Sequence, residues 1–164
     1  MMRYLTLILF SVVLIAACAS KEERLQNRIQ LVNEFKALDD FDKNNILFYE
    51  LEHTRSKFTY YSKDGEINII NEELYTDNNT NSNCIYYYDD NKPIYTKIMR
   101  IRIDKKDNQL FRNDIEIEIY FDHNYEALYS FKVENKTEKE IDPEELKSIY
   151  EHAKKLYSLA KADL

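Results

Sequence analysis

The sequence predicts an α+β fold: an N-terminal helix, an antiparallel meander sheet of about six or seven strands, and a C-terminal helix packed on the sheet. Three observations predict it. A unit of aromatic pair, polar turn and aliphatic strand recurs, at Tyr60-Tyr61, Tyr87-Tyr88 and Tyr120-Phe121. Residues 99–103 (Met-Arg-Ile-Arg-Ile) and 115–119 (Ile-Glu-Ile-Glu-Ile) alternate strictly, as half-buried strands do. Apolar residues at helical spacing occupy both ends of the remaining chain.

The first segment reads as an address. Arg3 is followed by an apolar run from Leu5 to Ile15 and by the small residues Ala16-Ala17, the three parts of a secretory signal. The run is short of the roughly 20 residues a membrane-spanning helix needs. Ile15-Ala16-Ala17-Cys18 resembles the bacterial lipobox. The resemblance implies diacylglyceryl transfer to the Cys18 thiol, cleavage before Cys18, and acylation of the new amine by a palmitate-type chain. Two or more chains make such an attachment long-lived. The resulting division is a signal peptide over 1–17, an anchor and short linker over 18–21, and a single domain over 22–164. The expected location is the bacterial cell envelope, with the outer membrane favoured in a two-membrane host because Ala19, not Asp, follows Cys18.

Leu25, Ile29, Val32, Phe35 and Leu38 give residues 22–38 one apolar stripe, so this stretch is the first helix. A polar break at 39–45 precedes residues 46–51, which read as a short strand, with a second helix as the alternative. Asp64-Gly65 between two strand-like runs is a hairpin signal, because both positions tolerate positive φ. Seven residues separate Tyr60 from Ile67 and likewise Tyr87 from Ile94, so the hairpin unit repeats. Segments 76–83 and 104–113 read as polar loops. In the alternating pair, Ile103 is expected to face Ile115, with Arg102 opposite Glu116 and Arg100 opposite Glu118. Asp142 as N-cap, Pro143 in the first turn, and the stripe Leu146, Ile149, Tyr150, Ala153, Leu156, Tyr157 and Ala160 define the last helix. Taken together, Tyr60-Tyr61, Tyr87-Tyr88-Asp89, Tyr120-Phe121-Asp122 and Ala153-Lys154-Lys155-Leu156 resemble a loose group of bacterial exported proteins with repeated Tyr-Tyr-x-Asp hairpins. That resemblance implies this fold and carries no activity.

Composition narrows the chemistry. The chain has 164 residues and a formal net charge of −7, an acidic balance that disfavours nucleic acid, whose phosphates need clustered Lys and Arg. One glycine in the whole chain leaves no Gly-rich phosphate loop and no nucleophile elbow. Once Cys18 carries lipid, Cys84 has no intramolecular partner, and its place in an aromatic strand reads as a small core residue. Asp40-x-Asp42-x-Asn44 opens like a calcium loop, but Asn45 and Leu51 stand where the loop needs glycine and a bidentate Glu. His53, His123 and His152 share no ligand spacing, and His123 and His152 read as surface residues. No catalytic residue, cofactor or metal site is assigned.

The fourteen tyrosines carry the functional expectation. Tyr60, Tyr87, Tyr95 and Tyr129 are the candidate binding surface, because tyrosine offers contact area and a hydroxyl at low entropy cost. The expected function is a non-enzymatic binding module of the envelope. Its partners are the membrane, through Cys18, and a protein or an envelope glycan. The alternatives are an envelope hydrolase with a dispersed acidic/histidine site, and an inhibitor or immunity lipoprotein with an acidic loop at 76–83 or 104–113.

Overall fold

The computed structural model describes residues 19–51, 53–77, 79–122 and 125–164. The signal segment, Cys18 and His123 lie outside the described residues. Helix α1 (Lys21–Ala37) leads into strands β1 (Asp42–Leu51), β2 (Thr54–Lys63), β3 (Glu66–Thr76), β4 (Thr80–Asp89), β5 (Lys92–Lys106), β6 (Gln109–Phe121), β7 (Ala127–Glu134) and β8 (Thr137–Lys139), and helix α2 (Pro143–Asp163) closes the chain. The strands form one sheet in sequence order, β1 to β8, every neighbour antiparallel. This is the predicted α+β meander, with eight strands. No described helix is long and apolar enough to cross a membrane.

The helix ends follow the capping rules. Ser20 caps α1 by accepting from the Glu23 amide at 3.1 Å, and Asp142 caps α2 by accepting from the Glu144 amide at 2.8 Å, each satisfying a donor that the helix leaves free. The hairpins show how a chain with a single glycine turns sharply. Asp64-Gly65, Asp90-Asn91, Asp107-Asn108 and Asn135-Lys136 all place both turn residues at positive φ, between 48° and 77°. This is the backbone that two-residue hairpins of matching twist require, and Asn and Asp are the non-glycine residues that enter it most readily.

The turn at Asp107-Asn108 corrects the sequence reading of 104–113. Pairing runs without a loop to Lys106 opposite Gln109, which sets Arg100, not Ile103, opposite Ile115. Arg100 therefore turns toward α2, where it meets Glu145 at 3.4 Å, while Met99 and Ile101 turn to the other face. The expected loop over 76–83 is likewise a tight turn, with β4 starting at Thr80, and β1 starts at Asp42, before the expected Ile46. Of the calcium-like residues, Asp42 and Asn44 enter that strand and Asp40 lies just before it. Asp40 pairs with Lys63 at 2.8 Å, and the Asn44 amide donates to Ser62 Oγ at 2.7 Å.

The helices lie on opposite faces, giving three layers with two cores. One core, under α2, gathers Phe58, Tyr60, Tyr86, Tyr88, Ile117, Ile119 and Phe121 with Ile149, Ala153 and Leu156. The other, under α1, gathers Ile69, Tyr87, Tyr95, Tyr120 and Leu128 with Val32, flanked by Phe35 and Tyr61. The aromatic pairs explain the repeat. In each pair one ring enters each core: Tyr60 and Tyr61, Tyr88 and Tyr87, Phe121 and Tyr120. A bulge or other register irregularity falls within or just after each pair, at Tyr61/Ser62, Tyr87/Tyr88 and Tyr120/Phe121, and such bulges sharpen the local twist. The irregularities line up at the end of the sheet that α1 crosses.

Candidate functional site: the open half of the α1 face

Helix α1 crosses the sheet only near the turns that follow the aromatic pairs. Arg24 holds Asp122 at 2.5 Å and Arg28 holds Asp89 at 3.0 Å. Phe35 stacks on Tyr87, with ring centroids 6.3 Å apart. From Tyr87 a row of rings continues through Tyr95 and Tyr120 to Tyr129, each centroid 4.7–6.2 Å from the next. Lys36 Nζ lies 5.0 Å above the Tyr95 ring, a cation–π contact.

The four tyrosines expected to bind a partner do not form one surface. Tyr60, Tyr87 and Tyr95 are at most 4% exposed, and only Tyr129, at 42%, is open to solvent. Tyr60 faces α2, and its hydroxyl donates to Asp163 at 2.8 Å. Burial, reinforced by the Asp163 carboxylate, pushes that hydroxyl up to about 12. The Tyr95 hydroxyl donates to Glu118 at 2.8 Å, and burial followed by that carboxylate holds it well above the ordinary phenol range. The rings build cores because strand alternation sends them to both faces, where helices cover them.

Beyond the row of rings the same face carries no helix among the described residues. The strands are long enough to continue past α1, and alternation brings Lys57, Asn71, Glu73, Asn83, Ile85, Lys97, Met99 and Glu116 to this side. Lys97 Nζ meets Glu116 at 2.8 Å and Lys57 Nζ meets Glu73 at 3.8 Å. Met99 is 47% exposed. A depression of about 530 Å³ over β1–β5 includes Ile46, Thr59, Asn71, Asn83, Ile85 and Met99 in its lining. A second, of about 770 Å³, continues over β5–β7 past Ile101, Asp114 and Val133. Amide donors and acceptors, two ion pairs and apolar patches line this face.

The opposite core holds a polar cluster that the sequence reading missed. Glu72 is 3% exposed, and its carboxylate accepts from Ser56 Oγ at 2.5 Å, from the Tyr86 hydroxyl at 2.9 Å and from His152 Nε2 at 2.9 Å. His152 is thus partly buried, its ring turned onto a buried carboxylate, and not the surface histidine expected. Helical spacing carried the signal, since His152 follows Ile149 by three and precedes Leu156 by four. Ser56 and His152 both address the carboxylate. A hydrolytic triad instead places the imidazole between hydroxyl and carboxylate. Cys84 stands opposite Glu72 in register, and burial, then the Glu72 charge, pushes its thiol up to about 12. A thiol so held is a protonated core side chain, as the sequence implied, and a poor nucleophile. His53 sits apart from this cluster, beside Asp77 at 2.9 Å. Among the described residues no group of three or more His, Cys, Asp or Glu is arranged to hold a metal ion.

The β5–β6 hairpin projects past its neighbours, since β4 begins opposite Arg102 and β7 ends opposite Ile115. Its projecting part carries Lys105, Lys106 and Arg112 against Asp104 and Asp107, so it is not the acidic arm that an inhibitor reading calls for. Comparison with protein-family models, with curated proteins and with solved structures finds no match.

Proposed function

We propose that the chain is a cell-envelope lipoprotein, held at a membrane through Cys18, whose open α1-side sheet face binds a protein or an envelope glycan without catalysing a reaction. The observation that carries the reading is the partial cover: α1 shields the row of rings and leaves the amide- and ion-pair-lined remainder of the face to solvent. The buried Glu72 cluster supports binding over hydrolysis, because its groups satisfy one another and its thiol is protonated.

A photoreactive residue at Asn83, in the full chain in its host, tests the face. Cross-links to a protein or to envelope glycan, unmatched by the same residue at exposed Ser158 on α2, are the expected result. Equal or absent adducts at Asn83 defeat the proposal. The anchor has its own test: Cys18→Ser abolishes lipid labelling, and unchanged membrane attachment of that variant excludes the lipobox.

A further inference from the structure

We propose that the free edge of β1 pairs antiparallel with β1 of a second copy of this chain, the two Leu47 residues facing each other across a two-fold axis. The two edges of the sheet differ. The far edge ends in the three-residue β8, where Lys139 stands opposite Lys132, a short and charged edge of the kind that discourages strand addition. Strand β1 is ten residues long and ends the sheet on its other side, so alternate backbone N–H and C=O groups point away from β2 toward no described strand. A register shift between Lys43 and Ile46 guards only its first part. The run Ile46-Leu47-Phe48-Tyr49 after it holds no proline, glycine or charge.

The side chains along this edge are apolar on both faces. On the α1 face, Phe48 is 77% and Ile46 47% exposed. On the α2 face, a groove of about 240 Å³ runs between the edge and the helix, lined by Leu47, Leu159 and Ala162. An occupant must therefore supply a strand and apolar side chains on both of its faces, and β1 itself has that pattern.

Symmetry fixes the register. A two-fold axis perpendicular to the sheet keeps each face on its own side, so opposed residues must be an even number of positions apart. Centring on Ile46 carries each Phe48 onto the irregular stretch between Lys43 and Ile46 of the other copy, where regular pairing breaks. Centring on Phe48 sets Ile46 against Glu50. Centring on Leu47 sets Ile46 against the second copy's Phe48, twice, and brings the two Leu47 side chains together beside Leu159. Only this register covers the exposed apolar residues with one another, and it is closed, so association stops at two copies.

Directly opposed residues of an antiparallel pair have Cα atoms about 4.5–5.5 Å apart, within disulfide reach. The test is the full chain carrying Ile46→Cys and Phe48→Cys, oxidised in intact membranes and resolved on a non-reducing gel. A covalent dimer is expected. The unsubstituted chain and the Phe48→Cys/Glu50→Cys variant, whose positions are not opposed in this register, should remain monomeric. In detergent, sedimentation velocity of the full chain should show a dimer that Phe48→Lys converts to a monomer with an unchanged melting curve, since Phe48 lies largely in solvent. Three results overturn the proposal: a monomer at every concentration, equal bridging of the two cysteine pairs, or a foreign peptide on β1 that Phe48→Lys displaces.

Discussion

Glu72→Ala removes the acceptor to which three side chains donate, and the consequence can be worked from the geometry. The carboxylate is buried and receives Ser56, Tyr86 and His152 at 2.5, 2.9 and 2.9 Å. Truncation strands two hydroxyls in the α2-side core, and each unsatisfied buried group costs about 1–3 kcal/mol. Two such groups together cost about 2–6 kcal/mol, and we take the middle of that range, about 3–5 kcal/mol, as the expected loss. At about 2–4 °C per kcal/mol for a domain near this size, Tm falls by about 6–20 °C. Tyr86→Phe removes one donor and leaves the carboxylate with two, so it costs less, about 1.5–3 kcal/mol for a hydrogen bond to a charged group. Once Glu72 is alanine the Tyr86 hydroxyl has nothing left to donate to there, so the double variant should be about 1–3 kcal/mol more stable than the sum of the singles predicts. Urea denaturation of the four proteins, followed by circular dichroism, measures all of these terms. A Glu72→Ala loss under about 1 kcal/mol, or strict additivity with Tyr86→Phe, would refute the claim that this carboxylate organises the core.

Two further predictions concern the tyrosines and the turns. Tyr60, raised from 10.0 to about 12, keeps its proton in the folded state through a range where the unfolded chain loses it. Its stabilising contribution is therefore complete below pH about 10 and is lost as pH rises through 12, and the buried Tyr86 and Tyr88, also raised by desolvation, act in the same direction. Alkaline titration read by tyrosinate absorbance and circular dichroism should show the buried set ionising only with unfolding; full ionisation near pH 10.0 with the sheet intact contradicts this. At the exposed turn, Asn108 has φ 62°, so Asn108→Gly should gain about 0.5–1 kcal/mol and Asn108→Val should lose about 1–3 kcal/mol in thermal melts. Equal effects of the two substitutions would show that backbone strain is not what the turn residue controls.

Where the sequence was legible, local chemistry and tertiary packing agreed. Asp142 and Pro143 mark the start of α2 without ambiguity, and its stripe from Ile149 to Ala160 is buried almost residue for residue. Asp64-Gly65 is a recognisable hairpin because glycine announces positive φ. Asp107-Asn108 makes the same turn without glycine, so 104–113 reads as a polar loop, and the register of β5 on β6 is lost with it. The same holds for Asn79, at φ 53°, in the turn before β4. The tyrosines were misplaced for a different reason. Strict alternation sends Tyr87 and Tyr88 to opposite faces, but the sequence does not say that both faces carry a helix. Glu72 falls at an inward position between Ile70 and Leu74, and His152 on an apolar stripe, yet only the fold brings the two together from opposite ends of the domain. The open face was unreadable because it is defined by how far α1 extends across the sheet.

The aromatic pairs also have a mechanical consequence. A tug on the chain at Ser20 enters α1, and α1 grips the ends of several strands at once through Arg24 on Asp122, Arg28 on Asp89 and Phe35 on Tyr87. The load spreads over neighbouring hairpins side by side, and none is peeled open from its end. Because the partner of each ring under α1 is seated under α2, lifting the first helix strains the second. A tether at the N-terminus therefore pulls on the whole three-layer body at once, and the domain should yield as one unit under force.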